Sequence, residues 1–457
     1  MAERAFDAVV LGAGPAGEVA AGRLADGGLS VALVEPHLVG GECSFYACMP
    51  SKALLRPGEV LAEVRRVPGA AEAVGGELDV GAVLARRDEV IHDLDDAVQL
   101  PWVEDKGIEL IRDAGRLDGE RRVRVGDDVL VAERAVVVAT GSAAAIPPID
   151  GLRKAEPWTN REGTTAKEVP ARLAVLGGGV AGVELAQAWR RLGSQVTIFQ
   201  LADRLLEREE PFAGEQVGDS LRALGVDVRV GASVTAVRAN GGEVVVEVED
   251  GPALTADELL VSTGRRPRTD DIGIDSVGLE PGKSIDVDDR MRATTVDGDW
   301  LYAVGDVNGR VQLTHMGKYQ ARAAADNILG KQAEVTADGP VSPRVIFTEP
   351  QVAAVGHTLA SAREAGLRVR AVDVDTEGSA GGSFVGKGAA GTCRIVVDED
   401  RRTIVGATFT GVEVAESLHA ATIAVVAEVP LDRLWHAIPS FPTRSELWLN
   451  LLEAYGL

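Results

Sequence analysis

The sequence predicts an α/β chain: two similar modules of parallel strand, glycine turn and helix, followed by a smaller α+β unit. Three observations carry this reading. Gly12, Gly14 and Gly17 close the stretch "AVVLGAGPAG", and Gly177, Gly179 and Gly182 close "LAVLGGGVAG" with the same internal spacing 165 residues on. Each module later returns to an apolar strand that ends in Thr-Gly, at Thr140-Gly141 and at Thr263-Gly264. From Val341 the pattern changes to paired strands and a helix.

The elements follow in order. In each module an apolar, β-branched run reads as a buried parallel strand, and the Ala-rich stretch after the glycines reads as a helix. A second strand then ends at Glu35 in the first module and at Gln200 in the second, each 18 residues after its third glycine. The first glycine permits a tight turn, the second lets backbone approach a pyrophosphate, and the third lets the helix pack on the strand. The helix N-terminus adds unpaired N–H groups and positive dipole. A carboxylate about 20 residues on is placed to bind a ribose diol. Two Rossmann-like, dinucleotide-binding domains are therefore expected. A helix is expected from about Val83 to Val103, followed by short strands of alternating polarity. Hairpin turns are expected at Asn240–Gly242 and Asp250–Pro252. Near the end, "RIVVDEDRRTIVGATFTG" reads as two strands joined by a charged turn, and "AESLHAATIAVVAE" as a helix.

Composition narrows the function. The chain has 457 residues and a net charge of −23, with 70 acidic against 47 basic side chains. That field repels nucleic acid and anionic lipid, so neither is expected as a partner. No apolar run approaches the ~20 residues of a membrane-spanning helix. The N-terminal stretch "MAERAFD" has no signal-peptide character, and the chain is read as cytoplasmic.

Two of the three cysteines fall in "GGECSFYACMPSK", residues 40–52. Five residues of ideal helix rise about 7.5 Å, beyond the ~7 Å Cα separation that a disulfide spans. Cys43 and Cys48 therefore cannot pair from within one regular helix. The glycines at 40 and 41 favour a turn before Cys43, and Pro50 suits a first helical turn, so Cys48 is placed near a helix start. There the helix dipole favours its thiolate, and Lys52 adds positive charge. Cys393, in the strand-like "GTCRIVV", reads as a buried structural thiol.

This cysteine stretch resembles the signature of the class I pyridine nucleotide-disulfide oxidoreductases, the family of dihydrolipoamide dehydrogenase, glutathione reductase and mercuric reductase. The resemblance spans nearly the whole chain. It implies FAD on the first module and NAD(P)H on the second, with residues 1–150 and 269–338 forming the FAD domain, 151–268 the NAD(P) domain and 339–457 a dimer-interface domain. It further implies that Glu35 binds the FAD ribose and that Gly115 and Thr140, Gly141 and Ser142 touch the flavin nucleotide. Asp306 would contact the ribityl and phosphate region, and Gln312 to His315 would lie beside the isoalloxazine. Cys48 matches the flavin-side sulfur and Cys43 the interchange sulfur, while Lys52 would pair with Glu184 where the nicotinamide arrives. A homodimer follows from the same resemblance.

One motif departs from the family. Its disulfide-reducing members carry His-Pro-Thr-x-x-Glu, whose His acts as acid and base across the dimer. Here the stretch reads "PSFPTRSE": Pro442, Thr443 and Glu446 keep their places, and Phe441 stands at the His position. A general acid or base commonly contributes about 10²- to 10⁴-fold, so the expected acceptor is a small molecule other than a standard disulfide: a quinone, a metal ion, oxygen or a nucleotide. A dihydrolipoamide dehydrogenase-like activity, with His436 replacing the missing base, is the alternative, and a flavin-binding redox sensor or complex subunit is a third reading. Mercuric reductase also departs from the His pattern but resembles a metal shuttle with a C-terminal cysteine pair, which "LLEAYGL" lacks. Gln200 is neutral where a carboxylate would select NAD, and Arg204 and Arg208 lie close in sequence, so NADH and NADPH are held equal.

Overall fold

The computed structural model describes residues 2–457, and the chain divides into two compact units. The first comprises residues 1–50, 88–145 and 265–339, the second residues 51–87, 146–264 and 340–457.

In the first unit the strands Glu109–Ile111, Val31–Val34, Glu3–Leu11 and Asp128–Val138 lie side by side and parallel, with Leu301–Ala303 also parallel to the last. Val10 is in register with Leu33 on one side and Val137 on the other. These strands read as continuous apolar runs because helices cover them: Val10, Leu33 and Val137 share a buried cluster with Leu24 and Ala324. The helix Pro15–Asp26 follows the first glycine turn, and the helix Thr314–Ile328 packs against it.

The expected helix from Val83 to Val103 is broken. It runs only over Val80–Val90, and His92, Asp93 and Leu94 then take positive φ before a short helix resumes at Leu100–Asp105. Asp96, inside the break, turns its carboxylate inward to accept from the Val39 N–H at 2.7 Å, a contact that a continuous helical period did not reveal.

In the second unit the strands Asp227–Val230, Gln195–Gln200, Arg172–Leu176 and Glu258–Val261 form a parallel sheet. The helix Val180–Arg191 lies on it and buries Leu185 and Trp189 against Val175 and Ile198. An antiparallel meander, Val234–Asn240, Glu243–Val248 and Leu254–Ala256, turns where the sequence places its glycines. The C-terminal part is a five-stranded antiparallel sheet ordered Arg344–Ile346, Gln351–Gly356, Thr403–Gly411, Thr392–Asp398, Val369–Asp375. The helices Leu418–Val426 and Leu447–Tyr455 share its core. Among the described residues no helix is long and apolar enough to cross a membrane.

Candidate active site

The two glycine turns are built alike. Gly12 and Gly177 take φ of +99° and +107°, and a side chain on either would strike the carbonyl of Ala139 or Ser262 at 2.5 and 2.6 Å. Gly17 and Gly182 sit against the carbonyls of Gly12 and Gly177, where a Cβ would approach to 1.8 and 2.0 Å. Only Gly14 and Gly179 face open space, with nothing within 4 Å of a Cβ. These are the positions where a pyrophosphate must come near backbone.

The acceptor at the end of each second strand also has its counterpart. Glu35 Oε2 accepts from the Ala13 N–H at 2.9 Å, and its Oε1 accepts from the His37 N–H at 2.8 Å. In the second module Gln200 Oε1 accepts from the Gly178 N–H at 2.7 Å. Side chain and turn are therefore locked together in both modules, and the buried Glu35 carboxylate beside an open glycine fits a dinucleotide with a ribose diol.

Around the first turn, Gly115 is wedged between Leu11 and Val34, with 2.6 Å and 3.0 Å available to a Cβ. Thr140 Oγ1 donates to the Arg268 carbonyl at 2.8 Å, and Gly141, at φ +70°, accepts from the Arg268 N–H. Ser142 Oγ donates to Asp306 Oδ2 at 2.5 Å, with Arg265 Nε 3.6 Å from the same oxygen. Arg268 extends to Glu42 at 2.8 Å. Arg265 and Arg268 escaped the sequence reading, although "RRPR" directly follows the second Thr-Gly. Gln312 precedes the helix Thr314–Ile328, and His315 lies exposed in its first turn. In the second unit Gly264 takes φ +144°, three residues after the strand Glu258–Val261, and Arg204 donates to the Glu207 carbonyl at 2.7 Å.

The cysteines occupy separate helices and so do not share one regular helix. Cys43 lies in the short helix Gly41–Phe45, and Cys48 opens the helix Cys48–Arg66, with Pro50 in its first turn. Both are thiols here, and they hydrogen-bond to each other. Cys48 Sγ also lies 3.4 Å from Thr314 Oγ1. The Cys43 thiol is held well above the ordinary range, first by its hydrogen bond to Cys48, then by burial. Thr314 and the Lys318 ammonium act in the opposite sense. One sulfur of such a pair keeps its proton while the other carries the charge. Cys393 is buried in its strand, and burial pushes its thiol up to about 12.

Within the second unit Lys52 Nζ donates to Glu184 Oε2 at 2.6 Å, and Glu184 Oε1 accepts from the Phe347 N–H at 2.9 Å. The Lys52 ammonium also sits 4.7 Å from the Phe347 ring centre. Phe347 was missed because nothing in its local sequence marks it. Glu446 Oε2 accepts from the Gly381 N–H at 3.3 Å. Phe441 is 77% exposed, and His436 is exposed as well. Among the described residues no cluster of side chains suits a metal ion.

Residues 6–321 match the family described as pyridine nucleotide-disulphide oxidoreductase, and residues 342–451 match its dimerisation domain. The dihydrolipoyl dehydrogenase of Chlamydia muridarum is 31% identical over 97% of this chain and 95% of its own length. The mercuric reductase of Staphylococcus aureus is 29% identical over 96% of this chain and 81% of its own. Among solved structures, the Cu(II) complex of the HOCl-induced flavoprotein disulfide reductase RclA from Escherichia coli superposes with a TM-score of 0.86 at 26% identity. That match covers 98% of this chain and 99% of RclA.

Proposed function

This chain belongs to the pyridine nucleotide-disulphide oxidoreductases, and from that premise we propose that it passes electrons from NAD(P)H through FAD and the Cys43/Cys48 pair to a small acceptor other than a standard disulfide. The enzyme class and its two cofactors are those of the family. When bound, FAD accepts hydride from the nicotinamide and delivers two electrons to a sulfur at its face.

The protein supplies position and proton control. In this reading the open Gly14 turn admits the FAD pyrophosphate, Glu35 holds the ribose, and Ser142, Asp306 and Arg265 form the polar wall further along. Gly179 and Gln200 do the same for NAD(P)H. The Lys52–Glu184 pair, fixed by the Phe347 N–H, sets the charge where the nicotinamide arrives. Cys48, at the positive end of its helix, is the sulfur that carries charge, and Cys43 is the one that exchanges with the acceptor.

Phe441 carries the choice of acceptor. An exposed phenyl ring cannot move a proton, so thiol exchange with a substrate disulfide lacks the partner-subunit base that the motif otherwise supplies. A quinone, a metal ion, oxygen or another nucleotide asks less of that base. The Cu(II) complex of RclA supports a metal ion within this set. A lipoamide-type disulfide reductase is the second reading, favoured by the dihydrolipoyl dehydrogenase relative. Homodimer formation is supported by the match to a dimerisation domain and by Ile438 and Phe441, exposed apolar side chains within it.

An acceptor panel on FAD-loaded protein tests this. NAD(P)H oxidation that is brisk with a quinone or Cu(II) and slow with lipoamide supports the proposal; the reverse ranking favours the second reading.

A further inference from the structure

The glycine turn brings more than a cofactor cradle to the cysteines. The Gly40 N–H donates to the Ala13 carbonyl at 2.8 Å, and a Cβ on Gly41 would lie 2.8 Å from Gly14 Cα. The start of the Cys43 helix therefore rests on the start of the helix Pro15–Asp26. The helix Thr314–Ile328 closes on the same place, since a Cβ on Gly317 would lie 3.4 Å from that of Ala16. One turn from these contacts the three elements present Glu18, Cys43, Thr314 and Lys318, with Thr314 and Lys318 four residues apart and so on one helix face.

We propose that Glu18, held by Lys318, is the acid and base that serves the Cys43 sulfur from within its own subunit, in place of the histidine that Phe441 displaces. When the disulfide accepts two electrons, the S–S bond breaks and two sulfur anions result. The Glu18 carboxyl gives its proton to Cys43, leaving a Cys43 thiol, a Cys48 thiolate and a Glu18 carboxylate beside the Lys318 ammonium. When the pair is reoxidised, the carboxylate takes the Cys43 proton back and frees that sulfur to attack. The reductant is NAD(P)H through FAD, so atoms and electrons balance.

The protonation of Glu18 suits this role. Burial raises its carboxyl to about 7, against the pull of Lys318 in the other direction. Both protonation states are thus populated near neutral pH, where a general acid-base works best. Lys318 also draws Cys43 towards its thiolate. One turn further along the same two helices, Arg23 and Asp326 neutralise each other at 2.6 Å.

This inference rests on the assignment of Cys43 as the exchanging sulfur, and its test is chosen to fail separately. The FAD-loaded protein, reduced with dithiothreitol, is alkylated with iodoacetamide from pH 5.5 to 9, and the rate at each cysteine is read by peptide mass spectrometry. In the wild type, Cys43 alkylation should rise through a step near pH 7 as the Glu18 carboxylate forms. Glu18→Gln should remove that step and slow reoxidation of the pair by quinone about 10-fold or more, with Glu18→Asp restoring part of both. Should Glu18→Gln not fold, Lys318→Met keeps the carboxyl but loses the ammonium, and its step should move to higher pH. A wild-type profile that is flat or falls near pH 7, a step that survives in Glu18→Gln, or one unmoved in Lys318→Met overturns the proposal. Alkylation of Cys48 in place of Cys43 overturns instead the assignment of the sulfurs on which it rests.

Discussion

Lys52 and Glu184 form an ion pair of unequal members: their atoms meet at 2.6 Å, yet the lysine side chain is 33% exposed and the glutamate 3%. Removing the lysine strands a buried carboxylate that keeps only the Phe347 N–H, whereas removing the carboxylate's charge leaves an ammonium that can turn to water.

Lys52→Met should therefore destabilise the protein by about 1–3 kcal/mol, and Glu184→Gln by clearly less. Denaturant unfolding of the two variants side by side checks the order. Equal losses, or a larger one for Glu184→Gln, would show that the carboxylate is not the costly member.

The glycines of one turn should separate by function. Gly17→Ala places a methyl 1.8 Å from the Gly12 carbonyl and should abolish soluble, folded protein. Gly14 has ordinary backbone angles, φ −72° and ψ 177°, and an open flank. Gly14→Val should fold with normal circular dichroism but bind FAD about 10-fold more weakly or worse, roughly 1.4 kcal/mol. Unaltered FAD affinity in Gly14→Val would remove the pyrophosphate from that place.

Nicotinamide preference turns on Gln200. A glutamate there can keep the hydrogen bond to the Gly178 N–H while repelling a 2′-phosphate. Gln200→Glu should shift the ratio of kcat/KM for NADH over NADPH by about 10-fold towards NADH, on the order of one charge contact. A ratio that does not move, measured with one acceptor throughout, places the ribose elsewhere.

Phe441→His should raise lipoamide or small-disulfide reduction by about 10-fold or more if the absent base limits that reaction, and leave quinone reduction nearly unchanged. The side chain's exposure makes the substitution tolerable to the fold. Identical disulfide turnover in variant and wild type would mean that the acceptor is chosen by something other than this proton.

What the sequence revealed, and what it hid, divides along physical lines. The glycine turns, the second strands that end at Glu35 and Gln200, and the exclusion of a paired Cys43 and Cys48 from one regular helix all follow from local rules of spacing and backbone conformation, and local rules are legible in a chain. The Lys52–Glu184 pair was also expected, but through family resemblance, since 132 residues separate the two. Contacts made across the fold by unremarkable residues were not legible. Phe347 supplies one N–H to Glu184, and Asp96, past the break in its helix, accepts from the Val39 N–H.

The measurement closest to the core of the account is anaerobic reduction of the FAD-loaded protein by two electrons while its long-wavelength absorbance is followed. A thiolate at Cys48 lying against the flavin predicts a broad new band that persists in Cys43→Ser and vanishes in Cys48→Ser. No band in the wild type, or one that survives the loss of Cys48, would contradict the account.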